Sequence, residues 1–371
     1  MIIGIPKEIK EDEKRVSLTP FGAEVLIKSN HTVLVEHNAG LDSGFTNKQY
    51  INSGAIIEDI PEILFSKSDL IIKVKEPQDQ EIKYIKENQI IFTFFHFAAS
   101  QTFTDKMMET GATCIAYETV QYDDRSLPIL IPMSEVAGRM SVQNGAKCLE
   151  GNMGGKGKLL GGVPGVDAST VTILGGGIVG SNAAKLAAGL GAKVYILDVN
   201  MNRLRYLDDI MPANVQTLHS NNHNISDILK YTDLLIGSVL VVGAKSPKLV
   251  TRTMLKDMKH GSVIVDVAVD QGGCVETCKP TTHKDPTYII DNIVHYCVSN
   301  MPGSVPYTST LALTNVTLPF ITLLSNNGLN DSLISNSSLM KGLNIHKGKI
   351  CHKGVSETFN LDYHEPLNLL V

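Results

Sequence analysis

The stretch VTILGGGIVG, Val171 to Gly180, decides the fold. Val171 to Leu174 reads as a short buried strand, and Ser181 to Gly191 continues as a helix rich in Ala and Leu. Between them lies G-x-G-x-x-G at Gly175, Gly177 and Gly180. In that pattern the first glycine permits a tight turn, the second lets the backbone approach a pyrophosphate, and the third allows close helix–strand packing. The helix start then offers unpaired N–H groups and the positive end of a dipole to phosphate. A glycine-rich turn alone is a weak signal. Here the next strand, Lys193 to Leu197, is closed by Asp198, placed to accept hydrogen bonds from an adenosine ribose. Strand, turn, helix, strand and acid together predict a dinucleotide-binding unit. A carboxylate at that place repels a 2′-phosphate, so the expected cofactor is NAD rather than NADP. Arg203, five residues on, is the nearby residue that pulls the other way.

Working outward, short β-branched runs alternate with helical patterns on both sides of this stretch, the signature of parallel sheets covered by helices. Before it come Ile2 to Ile5, Thr32 to Glu36, Leu70 to Val74, Ile90 to Phe95 and Thr113 to Ala116, which predict one five-stranded sheet. Beyond it come Val215 to Leu218, Leu234 to Ile236, Ser262 to Val267 and a final pair near Ile289 and Val294 to Val298. The expected fold class is therefore α/β, two doubly wound Rossmann-like domains with an active-site cleft between them. Helical spacing marks Met133 to Leu149 and a long apolar helix over Thr308 to Ser325. The chain of 371 residues agrees with two or three domains at about 150 residues each.

Composition narrows the function. With 43% hydrophobic and 19% charged residues the chain is globular, and 33 basic against 38 acidic residues leave a net charge of −5, with no basic field for nucleic acid. The apolar windows Ile90 to Ala99 and Val171 to Leu197 are too short or too interrupted by lysine to span a bilayer, and the amino terminus lacks a secretory pattern. The six cysteines show no paired metal-ligand spacing, which predicts reduced thiols, no metal and a cytoplasmic protein.

Ligands of open α/β sheets bind outside the carboxyl ends of the strands, and four polar residues fall there. Arg15 follows the first strand, Lys75 ends the run LIIKVK, His96 closes IIFTFFH, and Asp270 ends VIVDVAVD. Each has a plain reading: one charge of the solvated run Lys10 to Arg15, a snorkelling lysine, a satisfied core histidine, a turn cap. Together they make a chemical inventory. Two cations suit a substrate carboxylate, while an imidazole that titrates near neutrality and a carboxylate suit general acid–base work. Oxidation of a small amino or hydroxy acid needs just such groups.

At these residues the sequence resembles the family of alanine dehydrogenase and nicotinamide nucleotide transhydrogenase. The resemblance is carried, in order, by Gly4 to Lys10, Glu13 to Val16, Val74 to Pro77, Phe95 and His96, Pro132 to Arg139, Leu174 to Gly180, Asp270 to Gly273 and Asn300 to Pro306. It implies reversible NAD-dependent oxidative deamination of L-alanine to pyruvate and ammonia, with Arg15 and Lys75 binding substrate and His96 and Asp270 as the catalytic pair. It implies that Ser134, Gly175, Gly177, Ile178, Val179, Gly180, Asp198, Arg203, Ser220, Val239, Leu240, Val267, Ala268, Val269, Asp270, Lys279, Val298, Ser299, Asn300 and Met301 line the cofactor site. Lys279 stands where an Arg is expected. Leu323 and Asn327 stand where some relatives carry metal ligands, and the expectation is no metal. The proline-bearing stretches Leu127 to Pro132 and Asn300 to Pro306 mark the borders of an NAD domain of 129–306, and the resemblance further implies that the carboxyl-terminal segment returns to the first domain, for a substrate domain of residues 1–128 plus 307–371, and a homohexamer. Two rival readings share the scaffold: a dehydrogenase of another amino acid, of saccharopine type, and a non-catalytic NAD sensor.

Overall fold

The structure, a computed structural model, describes residues 1–239 and 246–370. The strands in chain order are β1 (Ile2–Ile5), β2 (Thr32–Glu36), β3 (Ile56–Glu58), β4 (Leu70–Lys75), β5 (Ile90–Phe94) and β6 (Thr113–Ala116), then β7 (Thr170–Leu174), β8 (Lys193–Asp198), β9 (Val215–His219), β10 (Leu234–Gly237), β11 (Val263–Asp266), β12 (Thr287–Ile290) and β13 (Ile293–Tyr296), and last β14 (Leu343–His346) and β15 (Lys349–Ile350). They build two sheets in two compact units, one of Met1–Met133 with the segment from Val305 onward, the other of Ser134–Ser304.

The first unit holds a sheet in the order β15-β14-β6-β5-β4-β1-β2-β3. It is parallel from β6 to β3, and β14 and β15 add as an antiparallel hairpin. Both faces are buried, so successive residues along a strand enter opposite cores: Ile72, Val74, Phe92 and Phe94 join one cluster, Ile71, Ile91 and Phe95 the other. The helix Pro20–Lys28 shows how local chemistry supports this. Thr19 caps it by accepting from the Gly22 N–H, Pro20 opens it, and Ala23 and Leu26 face the core.

The expected five strands correct to eight. Strand β3 is three residues long and never fully buried, so it carries no hydrophobic run to notice. The tail supplies β14 and β15 around Lys347 and Gly348, both at positive φ. The long helix runs Pro306–Asn327, with Leu313, Phe320, Ile321 and Leu324 in the core. It is apolar and long enough to cross a bilayer by composition alone, yet half of its apolar stretch is buried in the structure.

The second unit orders its strands β12-β13-β11-β10-β7-β8-β9, parallel except for the edge strand β12. The chain leaves β7 toward β8 and β9 and returns beyond β7 through β10, β11 and β13. The crevice at that reversal, outside the carboxyl ends of β7 and β10, is where such sheets take a dinucleotide.

Candidate active site

In the second unit β7 ends at Leu174 and, after three intervening residues, the helix Ile178–Gly189 begins. Gly175 has φ +99°, which L side chains rarely adopt. A Cβ on Gly180 would lie 1.9 Å from the Gly175 carbonyl oxygen, so only glycine lets the helix sit this close to the turn. A Cβ on Gly177 would meet nothing within 4 Å. That is open ground above a helix start to which no side chain is bonded as a cap. These residues fit a dinucleotide: the first-turn N–H groups stand ready for phosphate with space left beside them.

Asp198 closes β8, and its Oδ2 accepts from the Gly176 N–H at 2.7 Å while Oδ1 accepts from Asn200 N at 2.8 Å. Arg203 donates Nε to the Gly176 carbonyl at 2.5 Å and lies over the Tyr206 ring. Both side chains therefore grip the glycine loop, and the guanidinium is engaged by the protein's own backbone. Gly138 packs so near Val179 that a Cβ would fall 2.3 Å from its carbonyl oxygen, and Ser134, four residues earlier on the same helix face, is carried along. Val239 touches the turn from the end of β10, 3.0 Å from where a Gly175 Cβ would stand, and Ser220 donates its N–H to the Asp198 carbonyl.

Val267, Ala268 and Val269 follow β11, with Val267 N–H bonded to Gly237 and Ala268 N–H to the Asp266 carboxylate. Asp270 comes next, and its Oδ2 lies 3.4 Å from the Asn300 N–H. Asn300 has φ +54°, and its carbonyl oxygen accepts from His283, which also bonds Ser304. Val298 and Ser299 hold to Thr281, and Met301 is buried. Lys279 is exposed, its ammonium over the ring of Tyr288 on the edge strand. Leu240 lies outside the described residues.

In the first unit, the carboxyl ends of four adjacent parallel strands, β1, β4, β5 and β6, gather the other predicted residues. Arg15 is not part of a solvated run. It is 2% exposed and Glu13 5%, and Glu13 takes the Arg15 backbone N–H (3.0 Å), Nε (2.6 Å) and Nη2 (2.5 Å), while Nη1 meets the Met133 sulfur. Burial alone would raise the Glu13 carboxyl, but the Arg15 charge and hydrogen bonds prevail and hold it at about 2. Lys75 ends β4 beside them. Burial and then the Arg15 charge push its ammonium below the usual lysine range.

His96 sits two residues past β5 with φ +54°, a left-handed backbone that costs free energy outside glycine and Asn. Glu118, beyond the end of β6, holds it there by accepting the His96 and Phe95 N–H groups, at 2.6 and 3.3 Å. Phe94 stacks on the imidazole. Three carboxylates thus stand by the predicted cations and imidazole: Glu13, Glu118 and Glu76, whose Oε2 lies 3.8 Å from His96 Nδ1. Two of them lie in charged runs that look solvated in sequence. Glu13 had a legible sign in its place two residues before Arg15.

A buried network fixes the strand that carries Lys75. The Lys73 ammonium is 2.8 Å from Glu81 and 3.3 Å from Glu8, Glu8 accepts the Val74 N–H at 2.6 Å, and Glu81 accepts the Gln78 N–H. Among the described residues, no group of three or more His, Cys, Asp or Glu is placed to hold a metal.

The sequence matches the family profile described as alanine dehydrogenase/PNT, N-terminal domain, over residues 4–137, and that of the C-terminal domain over 141–353. The chain belongs to the alanine dehydrogenase/PNT family. Within the family it is 52% identical to the alanine dehydrogenase of Methanococcus maripaludis over 364 residues, 98% of each chain, and 50% identical to that of Halomonas elongata over the whole of both. A solved L-alanine dehydrogenase is 48% identical and superposes with a TM-score of 0.94, covering 97% of this chain and 99% of that one. A transhydrogenase from Sinorhizobium meliloti, 23% identical with a TM-score of 0.81, shares the fold.

Proposed function

We propose that the chain is an NAD-dependent L-alanine dehydrogenase. The observation that carries this is full-length likeness to alanine dehydrogenases in a chain whose own strand ends present Arg15, Lys75 and His96 together. Bound at the glycine loop, NAD supplies the nicotinamide ring that accepts a hydride from the α-carbon of the amino acid.

The chain's residues do the rest. Gly175, Gly177 and Gly180 with the N–H groups of Ile178 and Val179 hold the pyrophosphate, and Asp198 takes the adenosine ribose. Arg15 is held in place by Glu13, so its guanidinium is offered to the substrate carboxylate without first losing side-chain freedom. Lys75, its proton loosened by burial and the neighbouring guanidinium, faces the same substrate and polarises its developing carbonyl. Turning an amine carbon into pyruvate and ammonia consumes water and moves several protons. His96 and Asp270 are the groups that exchange them, Asp270 steadied by the Asn300 N–H.

The engaged Arg203 and the Asp198 carboxylate support NAD over NADP. All six cysteines are free, the state a reducing cytoplasm maintains. The family resemblance supports assembly into a homohexamer, and exposed apolar side chains of the first unit, such as Phe21 at 68% exposure, support an association of copies.

The test is formation of reduced nicotinamide from a panel of α-amino and α-hydroxy acids, with NAD and with NADP, in the wild type and in Asp198→Ala. The reading expects L-alanine with NAD to give the highest kcat/KM, and Asp198→Ala to lose about 10- to 150-fold with NAD, as for one charge-assisted bond. Equal use of both cofactors by the wild type, or no turnover of L-alanine, overturns it.

A further inference from the structure

We propose that Glu76 is a positioning residue for His96: its Oε2 receives the imidazole Nδ1–H, fixing that tautomer and leaving Nε2 to exchange protons with substrate. This rests on reading His96 as a proton-transfer group. Glu76 follows Lys75 at the end of β4, and its two oxygens live differently. Oε1 is bonded by the Lys10 ammonium. Oε2 is buried with no hydrogen-bond partner, and it lies 3.8 Å from His96 Nδ1.

A carboxylate serving Lys10 alone has no reason to bury a second oxygen without a donor, because an unpaired buried acceptor costs free energy. The imidazole is the donor within reach. Roughly 1 Å of ring travel brings Nδ1 to hydrogen-bond distance. The ring is otherwise well placed for this, since Glu118 fixes its backbone and Phe94 stacks on one face. Burial alone would raise the Glu76 carboxyl, but the interactions with His96 and Lys10 hold it at about 2, so it stays an ionised acceptor across the working range. An imidazole that donates from Nδ1 must accept at Nε2, and a general base needs one nitrogen free to take a proton.

The experiment is nitrogen NMR of the full-length protein labelled at histidine, loaded with NAD, in the wild type and in Glu76→Gln, with His96→Ala used to assign the signal. Steady-state kinetics with L-alanine run alongside. The proposal expects a protonated Nδ1 and a bare Nε2 in the wild type, and a mixture or reversal in Glu76→Gln. It expects kcat in Glu76→Gln to fall roughly 10- to 100-fold, less than loss of the acid–base group itself, with KM for L-alanine little changed. Glu76→Asp, which keeps the charge but shortens the reach, should restore part of both. Should Glu76→Gln fail to fold, the tautomer is read in Glu76→Asp, where a share of Nε2–H must appear. An unchanged tautomer in whichever variant folds, with His96→Ala inactive, overturns the role of Glu76 alone. Near-normal kcat in His96→Ala overturns the reading of His96 itself, and the proposal with it.

Discussion

Arg15 and Glu13 form a buried pair in which three N–H groups of one residue converge on one carboxylate. Removing either partner strands the other's charge away from water, which is why such pairs are costly to break. The Glu13 carboxyl titrates near 4.5 when unfolded and at about 2 when folded. A depressed carboxylate adds stability that is fully present above the unfolded value and lost as pH falls toward the folded one. Glu13 therefore contributes about 3 kcal/mol that disappears between about pH 4.5 and about pH 2. Thermal unfolding of wild type and Glu13→Gln across that window should show a shallower acid slope in the variant, together with lower stability at neutral pH. Parallel slopes would remove Glu13 from the account. In sequence, Lys10 to Arg15 looks like any charged surface loop. Charge alone does not reveal burial: Glu13 stands two residues from Arg15, but no local pattern says that the pair is buried.

At the scale of the element, the turn between β7 and the helix Ile178–Gly189 was legible because the spacing encodes a left-handed backbone at Gly175, a close approach at Gly180 and open room at Gly177. The two later glycines make separable predictions. A methyl group at Gly177 meets only open space, so Gly177→Ala should keep its melting temperature while cofactor affinity falls. A methyl at Gly180 collides with the Gly175 carbonyl and sits 2.9 Å from the Ser238 hydroxyl, so Gly180→Ala should lose both stability, by about 2 kcal/mol, and cofactor affinity. Calorimetric melting and NAD titration of the two variants check this, and a stability loss in Gly177→Ala would contradict it. Regular strands such as β1, β2 and β6 were read from their β-branched runs. Strands β3, β14 and β15 were not, since they lack such a run and are made by pairing with neighbours already in place. Glu118 escaped for a related reason: its role depends on β5 and β6 lying side by side, which no local pattern states.

The whole molecule uses two α/β units, and its carboxyl-terminal segment from Val305 belongs with the first. The length of that tail alone could not say which unit receives it; family likeness did. Exposed apolar residues on the first unit, Phe21, Leu41 and Ile51 among them, lead to the expectation that light scattering at micromolar concentration reports a hexamer, and a monomer there would contradict the assembly. The central claim is that Arg15 and Lys75 hold the substrate, Arg15 at its carboxylate and Lys75 at its carbonyl oxygen. Its most direct test is calorimetric titration of pyruvate into protein loaded with reduced NAD, using the wild type, Arg15→Lys and Lys75→Ala. Arg15→Lys is chosen because it keeps a cation beside Glu13 while losing the planar fork. The account predicts pyruvate affinity about 10- to 150-fold weaker in each variant with binding of reduced NAD unchanged; unaltered pyruvate affinity in both would contradict it.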